Sequence, residues 1–276
     1  MSIWRTSNGP GQRGSSPESG TVKLAVLGDP VSHSKSPAIH NAALAAVGVA
    51  GTYEARKVDD GGVRAAFDEV RSGVLTGFNV TMPHKRLAAE LCDHLHPDAS
   101  RAGSVNTVAA IEGAAWGFST DIGGIRDAWG DLPADGPILI LGAGGAAAAA
   151  CVALCNRPLY LAARRFGAGA DLAQRLEITI GEVHWEVPVI GSIVVNCTPL
   201  GMKGESLPED VLAAASGLFD MAYGSTVTPA ILAARQIGLK VVEGIDLLVF
   251  QAARSFEIWT GLVPPLEAMR KAAKTP

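Results

Sequence analysis

The sequence predicts an α/β fold in which parallel strands are covered by helices on both faces. Three observations predict it. Short apolar runs of strand type alternate along the chain with helical patterns. The run PILILGAGGAAAAACVAL, residues 137–154, joins a buried strand to a small-residue helix through a glycine turn. The 276 residues are 48% hydrophobic and 18% charged, enough apolar material for two cores.

The elements follow in order. VKLAVLG, residues 22–28, reads as a strand. GDPVSHSKSPAIH follows it, with three serines, His33 and a lysine before a helix over 37–47 that carries His40. Such a run offers hydroxyl donors beside a positive charge, which suits a small polyhydroxylated anion. It equally suits a helix cap, with Ser36 at the N-cap and Pro37 at the first helical position. A strand over 52–58 and a helix over 61–72 with a charged outer face come next. LTGFNVTMPHK is a strand running into a loop, and 86–95 reads as a helix. SVNTVAAIEGAAWGFST reads as a hairpin turning at Glu112-Gly113. A composition break at 130–136 precedes a second α/β series. Its strands are PILIL, PLYLAARR, GSIVVNCTP, GLFDMAY and LKVVEG. Residues 246–260 read as a helix, and a short polar tail closes the sequence.

Composition excludes several classes of partner. The net charge is −4 with no basic block, which argues against nucleic acid. No apolar run reaches membrane-spanning length. The first twenty residues are rich in Gly, Ser and Pro and lack the apolar segment of a secretory signal. They read as a disordered tail. The four cysteines, Cys92, Cys151, Cys155 and Cys197, form no CxxC pair and no zinc set. Buried reduced thiols in a cytoplasmic protein are the expectation, with no metal.

The glycine turn carries the most specific chemistry. Gly142, Gly144 and Ala147 make a G-x-G-x-x-A that follows a strand and opens a helix. The first glycine permits the tight turn, the second lets backbone approach a pyrophosphate, and the small third position lets helix and strand pack. Gly142, Ala143, Gly144, Gly145 and Ala146 are the candidate phosphate cradle. An NAD site usually has an acid at the end of the second strand, about 20 residues on. Here that strand ends in Arg164 and Arg165, which suit the 2′-phosphate of NADP.

GDPVSHSKSP, NVTMPHK, GSVNT followed by STD, GAGGA, DMAY and EGIDLLVFQAA stand in one order within residues 22–265. Together they resemble the shikimate dehydrogenase family, which includes shikimate/quinate dehydrogenases. The resemblance implies an N-terminal α/β substrate domain, a Rossmann dinucleotide-binding domain, and C-terminal helices returning to the first. On that basis the substrate domain comprises 21–121 and 246–276, and the Rossmann domain 122–245. It also implies NADP-dependent reduction of 3-dehydroshikimate to shikimate, on the way to aromatic amino acids. Lys85 and Asp121 match the family's catalytic pair. A lysine can stabilise the charge that hydride transfer builds on a carbonyl oxygen and deliver the proton, and a carboxylate can position it. Ser34 and Ser36 match the serines that hold the substrate carboxylate, and Tyr223 a tyrosine near it. Asn79, Thr81, Asn106 and Gln251 match substrate-binding positions, and Thr198 and Gly244 cofactor-binding ones. His33 and His84 flank these motifs and take hydrogen-bonding or packing roles. The chain departs from the family pattern at Ser119, Ile122, Ala163-Arg164-Arg165 and Asp246. The expected species is a monomer or homodimer acting on a small molecule. The other readings are a quinate/shikimate dehydrogenase with relaxed substrate or NAD use, and a non-catalytic ligand sensor on the same fold.

Overall fold

The computed structural model describes residues 21–224 and 226–275. The tail expected over 1–20 lies outside the described residues. In chain order the elements begin with β1 (Val22–Gly28), α1 (Ser36–Ala46), β2 (Gly51–Lys57), α2 (Asp60–Arg71), β3 (Gly77–Val80), α3 (Lys85–Leu91), β4 (His94–Leu95) and α4 (Pro97–Ala102). Next come β5 (Thr107–Ile111), β6 (Ala114–Phe118), α5 (Thr120–Ala128), β7 (Ile138–Leu141), α6 (Gly145–Ala153), β8 (Leu159–Ala162), α7 (Ala168–Leu176) and β9 (Gly181–Glu182). The series ends with β10 (Ile193–Asn196), α8 (Glu209–Ala213), β11 (Gly217–Asp220), α9 (Pro229–Gln236), β12 (Lys240–Glu243), α10 (Gly244–Thr260) and α11 (Leu266–Lys274).

The chain divides into two compact units. The first runs to His94 and takes in Asn106–Gly117 and Ala252–Thr275; the second comprises Leu95–Val105 and Phe118–Gln251. The joints fall at 117/118 and within α10 at 251/252, a few residues from the boundaries drawn on sequence, and 95–105 groups with the second unit. The composition break at 130–136 is a loop inside that unit, between α5 and β7.

The first unit's sheet has the order β2-β1-β3-β5-β6-β4. β1 is parallel to β2 and β3, whereas β5 is antiparallel to β3. The sheet is therefore mixed, not all-parallel as the alternation suggested. The hairpin forms at the expected turn because Glu112 and Gly113 both take positive φ, 53° and 77°. α2 starts where the Asp59 side chain accepts from Gly62 N at 2.9 Å, and buries Val63, Ala66, Phe67 and Val70 along one stripe. Phe67 meets Phe78 of β3 edge-on, centroids 5.2 Å apart. The helix expected over 86–95 stops at Leu91, and His94–Leu95 is a strand. The polar tail is the amphipathic helix α11, which buries Met269 and Ala273 and packs on α1.

The second unit's sheet has the order β12-β11-β10-β7-β8-β9, with every neighbouring pair parallel. Counted from β7, this is the doubly wound order 6-5-4-1-2-3, which reverses between β7 and β10. Its central strands β7, β10 and β11 are buried on both faces, with one core under α5, α6 and α7 and another under α8 and α9. α6 lies close because Ala147 to Ala150 are all buried. All four thiols are free, but only Cys151 is buried as expected; Cys92 and Cys197 are half-buried and Cys155 is exposed. Among the described residues no helix is long and apolar enough to cross a membrane, and none of the His, Cys, Asp and Glu group as a metal set.

Candidate active site

In the first unit, the loop after β1 and the loop after β3 lie side by side. Thr81 N donates to Leu27 O, and Asp29 N to Met82 O. Gly28 permits this approach, since a Cβ there would overlap the Thr81 methyl. Thr81 therefore stands where the serine-bearing loop leaves β1. Neither Ser34 nor Ser36 is the N-cap of α1, which is Lys35, without a side-chain cap; Ser36 is already helical. The helix-cap reading of this run is thus corrected. Ser34 Oγ accepts from Ser36 N at 3.3 Å.

Lys85 opens α3 and is half-buried. The preceding His84 fixes the turn that presents it. Its buried ring meets Asp60 Oδ1 at 2.9 Å and Val58 O at 3.0 Å. This is the hydrogen-bonding role expected of it.

Asn79 differs from its neighbours. It is 6% exposed. Its Oδ1 accepts from Tyr53 Oη at 2.6 Å. Its Nδ2 faces Thr107 Oγ1 at 2.9 Å, Asn106 O at 3.0 Å and Ser255 Oγ at 3.1 Å. Protein groups thus meet both ends of the amide, so Asn79 is suited to hold Asn106 rather than to meet a ligand. Thr107 Oγ1 in turn donates to Asn106 Oδ1 at 3.2 Å. Tyr53, Thr107 and Ser255, which sequence reasoning did not single out, are the groups that bond Asn79; they join segments up to 176 residues apart, which no local pattern marks.

In the second unit, Asp121 lies in the first turn of α5. That turn is tied to α10, where Thr120 Oγ1 donates to Gln251 Oε1 at 3.5 Å and Gln251 Nε2 donates to Leu248 O at 3.0 Å. Gly124 lets the helices approach, because a Cβ there would lie 3.0 Å from Gln251 Cβ. Asp121 and Gln251, far apart in sequence, thus belong to one local arrangement.

The glycine turn sits at the switch point of this sheet. Gly142 has φ +108°, and a Cβ on it would lie 3.2 Å from Cys197 O and Thr198 Cγ2. Only glycine joins these loops so closely. A Cβ on Gly144 would meet nothing within 4 Å, so backbone there is open to a ligand. α6 has no side-chain cap at its N-terminus, which leaves first-turn amides for an anion. The residues present therefore fit a dinucleotide pyrophosphate. Gly244 backs onto the DMAY loop, where a Cβ would lie 2.6 Å from Met221 O and Ala222 O. Burial raises the Tyr223 hydroxyl above its usual range, so it stays protonated as a donor.

Arg164 and Arg165 are exposed beyond the end of β8. They differ in one respect: Arg165 Nη2 pairs with Asp171 Oδ2 at 2.6 Å.

A doubly wound sheet with an open glycine turn at its switch point, and no acid after its second strand, defines a dinucleotide-binding protein of the NADP-dependent dehydrogenase class. Family models narrow the class. The shikimate dehydrogenase substrate-binding domain matches residues 26–108, and the shikimate 5'-dehydrogenase C-terminal domain matches 244–274. A shikimate dehydrogenase (NADP(+)) of Thermus thermophilus is 36% identical over 92% of this chain and 98% of its own length. One from Archaeoglobus fulgidus is 36% identical over 91% of this chain and 97% of its own. A crystal structure of shikimate 5-dehydrogenase from Thermus thermophilus, in complex with NADP(H) and shikimate, superposes with a TM-score of 0.85. It is 35% identical and covers 92% of this chain and 99% of its own. The chain belongs to the shikimate dehydrogenase family.

Proposed function

We infer that this chain interconverts 3-dehydroshikimate and shikimate with NADPH and NADP, in the route to aromatic amino acids. The observation that carries the reading is the likeness along nearly the whole chain to an enzyme solved with both NADP(H) and shikimate. NADPH supplies the hydride when bound. Lys85 then stabilises the charge growing on the carbonyl oxygen and gives it the proton, with Asp121 as the carboxylate of the catalytic pair. Ser34 and Ser36 hold the substrate carboxylate with Tyr223 near it, and Thr81, Asn106 and Gln251 hold the ring hydroxyls. Asn79 supports Asn106, which its internal hydrogen bonds favour over direct contact. Gly142 to Ala146 take the pyrophosphate, with Thr198 and Gly244 toward the nicotinamide. Arg164 takes the 2′-phosphate. The substrate domain is the unit that contains Lys85, and the cofactor domain is the one that contains the glycine turn. The enzyme works in the cytoplasm as a monomer or homodimer, on a small molecule rather than on nucleic acid or a membrane.

The test is a steady-state matrix of shikimate and quinate against NADP and NAD, read at the nicotinamide absorbance. Shikimate with NADP gives the highest kcat/KM. A higher value for quinate, or for NAD, moves the chain to the relaxed members of the family; no turnover with any pair returns it to a ligand sensor.

A further inference from the structure

We propose that Asp171 sets the strength of NADP selection by holding Arg165 away from the 2′-phosphate, so that Arg164 reads it alone. The inference rests on the NADP reading above.

Two carboxylates occupy the groups after β8 that an anion would otherwise find. Asp171 takes the Arg165 guanidinium at 2.6 Å. It lies in the first turn of α7, where a negative charge is favoured, so the pairing is supported from both sides. Glu182 of β9 takes the turn's amides: its Oε1 accepts from Gly167 N at 2.7 Å and Gly169 N at 3.0 Å. The start of α7 is therefore filled by the protein's own carboxylate. Arg164 is exposed and has no ion-pair partner among the described residues. Of the basic groups in this turn, it alone is uncommitted.

The sizes follow from exposure. The Arg165 and Asp171 side chains are 69% and 66% exposed, so their ion pair is weak and screened. Releasing Arg165 is then worth a factor of about two to five in phosphate affinity.

The test is calorimetric titration of NADP, NAD and 2′,5′-ADP into wild type, Asp171→Asn, Arg165→Ala, Arg164→Ala and the Asp171→Asn/Arg165→Ala double variant. Asp171→Asn tightens NADP and 2′,5′-ADP by about two- to five-fold and leaves NAD unchanged. Arg165→Ala alone changes NADP by less than about two-fold, and in the double variant it abolishes the gain. A gain that survives loss of Arg165 is a bulk charge effect and overturns the proposal. So does an unchanged Asp171→Asn, or an Arg165→Ala loss as large as that of Arg164→Ala. Failure of the parent reading looks different: wild type then binds NAD as tightly as NADP and shows no affinity for 2′,5′-ADP.

Discussion

Lys85 begins a helix immediately after a histidine whose two ring nitrogens are both engaged. The backbone that presents the ammonium is thereby fixed, and the chemistry rests on the side chain itself. Lys85→Ala is expected to lower kcat by about 10²–10⁴-fold, the usual worth of a positioned acid–base group. Shikimate affinity, measured by titration, changes much less. Near-native turnover removes Lys85 from the mechanism. Arg164 carries a separate prediction at the same scale. Its contact with a 2′-phosphate is charge-assisted, so Arg164→Ala weakens NADP by about ten- to a hundred-fold. NAD lacks that phosphate and holds its affinity. Equal losses for both cofactors leave Arg164 as a solvated surface charge.

Among elements, β10 and β11 end in a matched polar pair. Asn196 and Asp220 are register partners and the last residues of their strands. Asn196 Nδ2 donates to Asp220 Oδ1 at 2.7 Å, Ala222 N to the same oxygen at 3.1 Å, and Thr228 Oγ1 to Oδ2 at 2.5 Å. Asn196 Oδ1 meanwhile accepts from Thr198 Oγ1 at 2.6 Å and Thr198 N at 3.0 Å. One buried carboxylate thus ties together the loops that bear Thr198 and Tyr223. Burial raises its pKa, partly offset by these donors. Asp220→Asn places an NH2 where a donor already points, and each stranded donor costs about 1–3 kcal/mol. The expected outcome is a lower midpoint in urea together with weaker NADP binding. Thr228→Val removes the donor to Oδ2 and, with it, the side-chain cap that accepts from Ile231 N at the start of α9, so it too lowers the midpoint and weakens NADP binding. Wild-type NADP affinity in both variants confines the network to stability. Little of this was legible in the sequence. The strand ends were readable from their apolar runs, and the glycine turn from its spacing, because both are local. The Asn79–Ser255 contact and the Glu182 clamp on Gly167 depend on which strands become neighbours, which the sequence leaves open. α11 was missed for another reason: it buries so few side chains that its pattern reads as a polar tail.

At the scale of the whole molecule, stability against acid should be set in part by one residue of the first unit's core. His40 is fully buried, stacked on Tyr53 with centroids 4.3 Å apart and tilted against Trp259 at 5.3 Å. Neither ring nitrogen has a hydrogen-bond partner among the described residues. Desolvation pushes its pKa down from 6.5 to about 3, so the folded chain holds it neutral. The unfolded chain binds a proton at His40 below about pH 6.5, and the folded chain does not until about pH 3. Between those limits the unfolded state carries more protons, so stability rises with pH. The contribution is complete above the unfolded value and is lost on acidification, at about 1.4 kcal/mol per pH unit. Carboxylates add to the same limb only lower down, since Asp93 is held below its ordinary pKa by Arg71. The two effects therefore separate between about pH 6.5 and 5. Urea unfolding of wild type should show the first unit's midpoint falling across that interval. His40→Phe keeps an aromatic ring on Tyr53 and has no proton to take up, so its midpoint should stay nearly flat there. A wild type as flat as the variant would show that His40 titrates alike in both states, and that water or backbone reaches its ring.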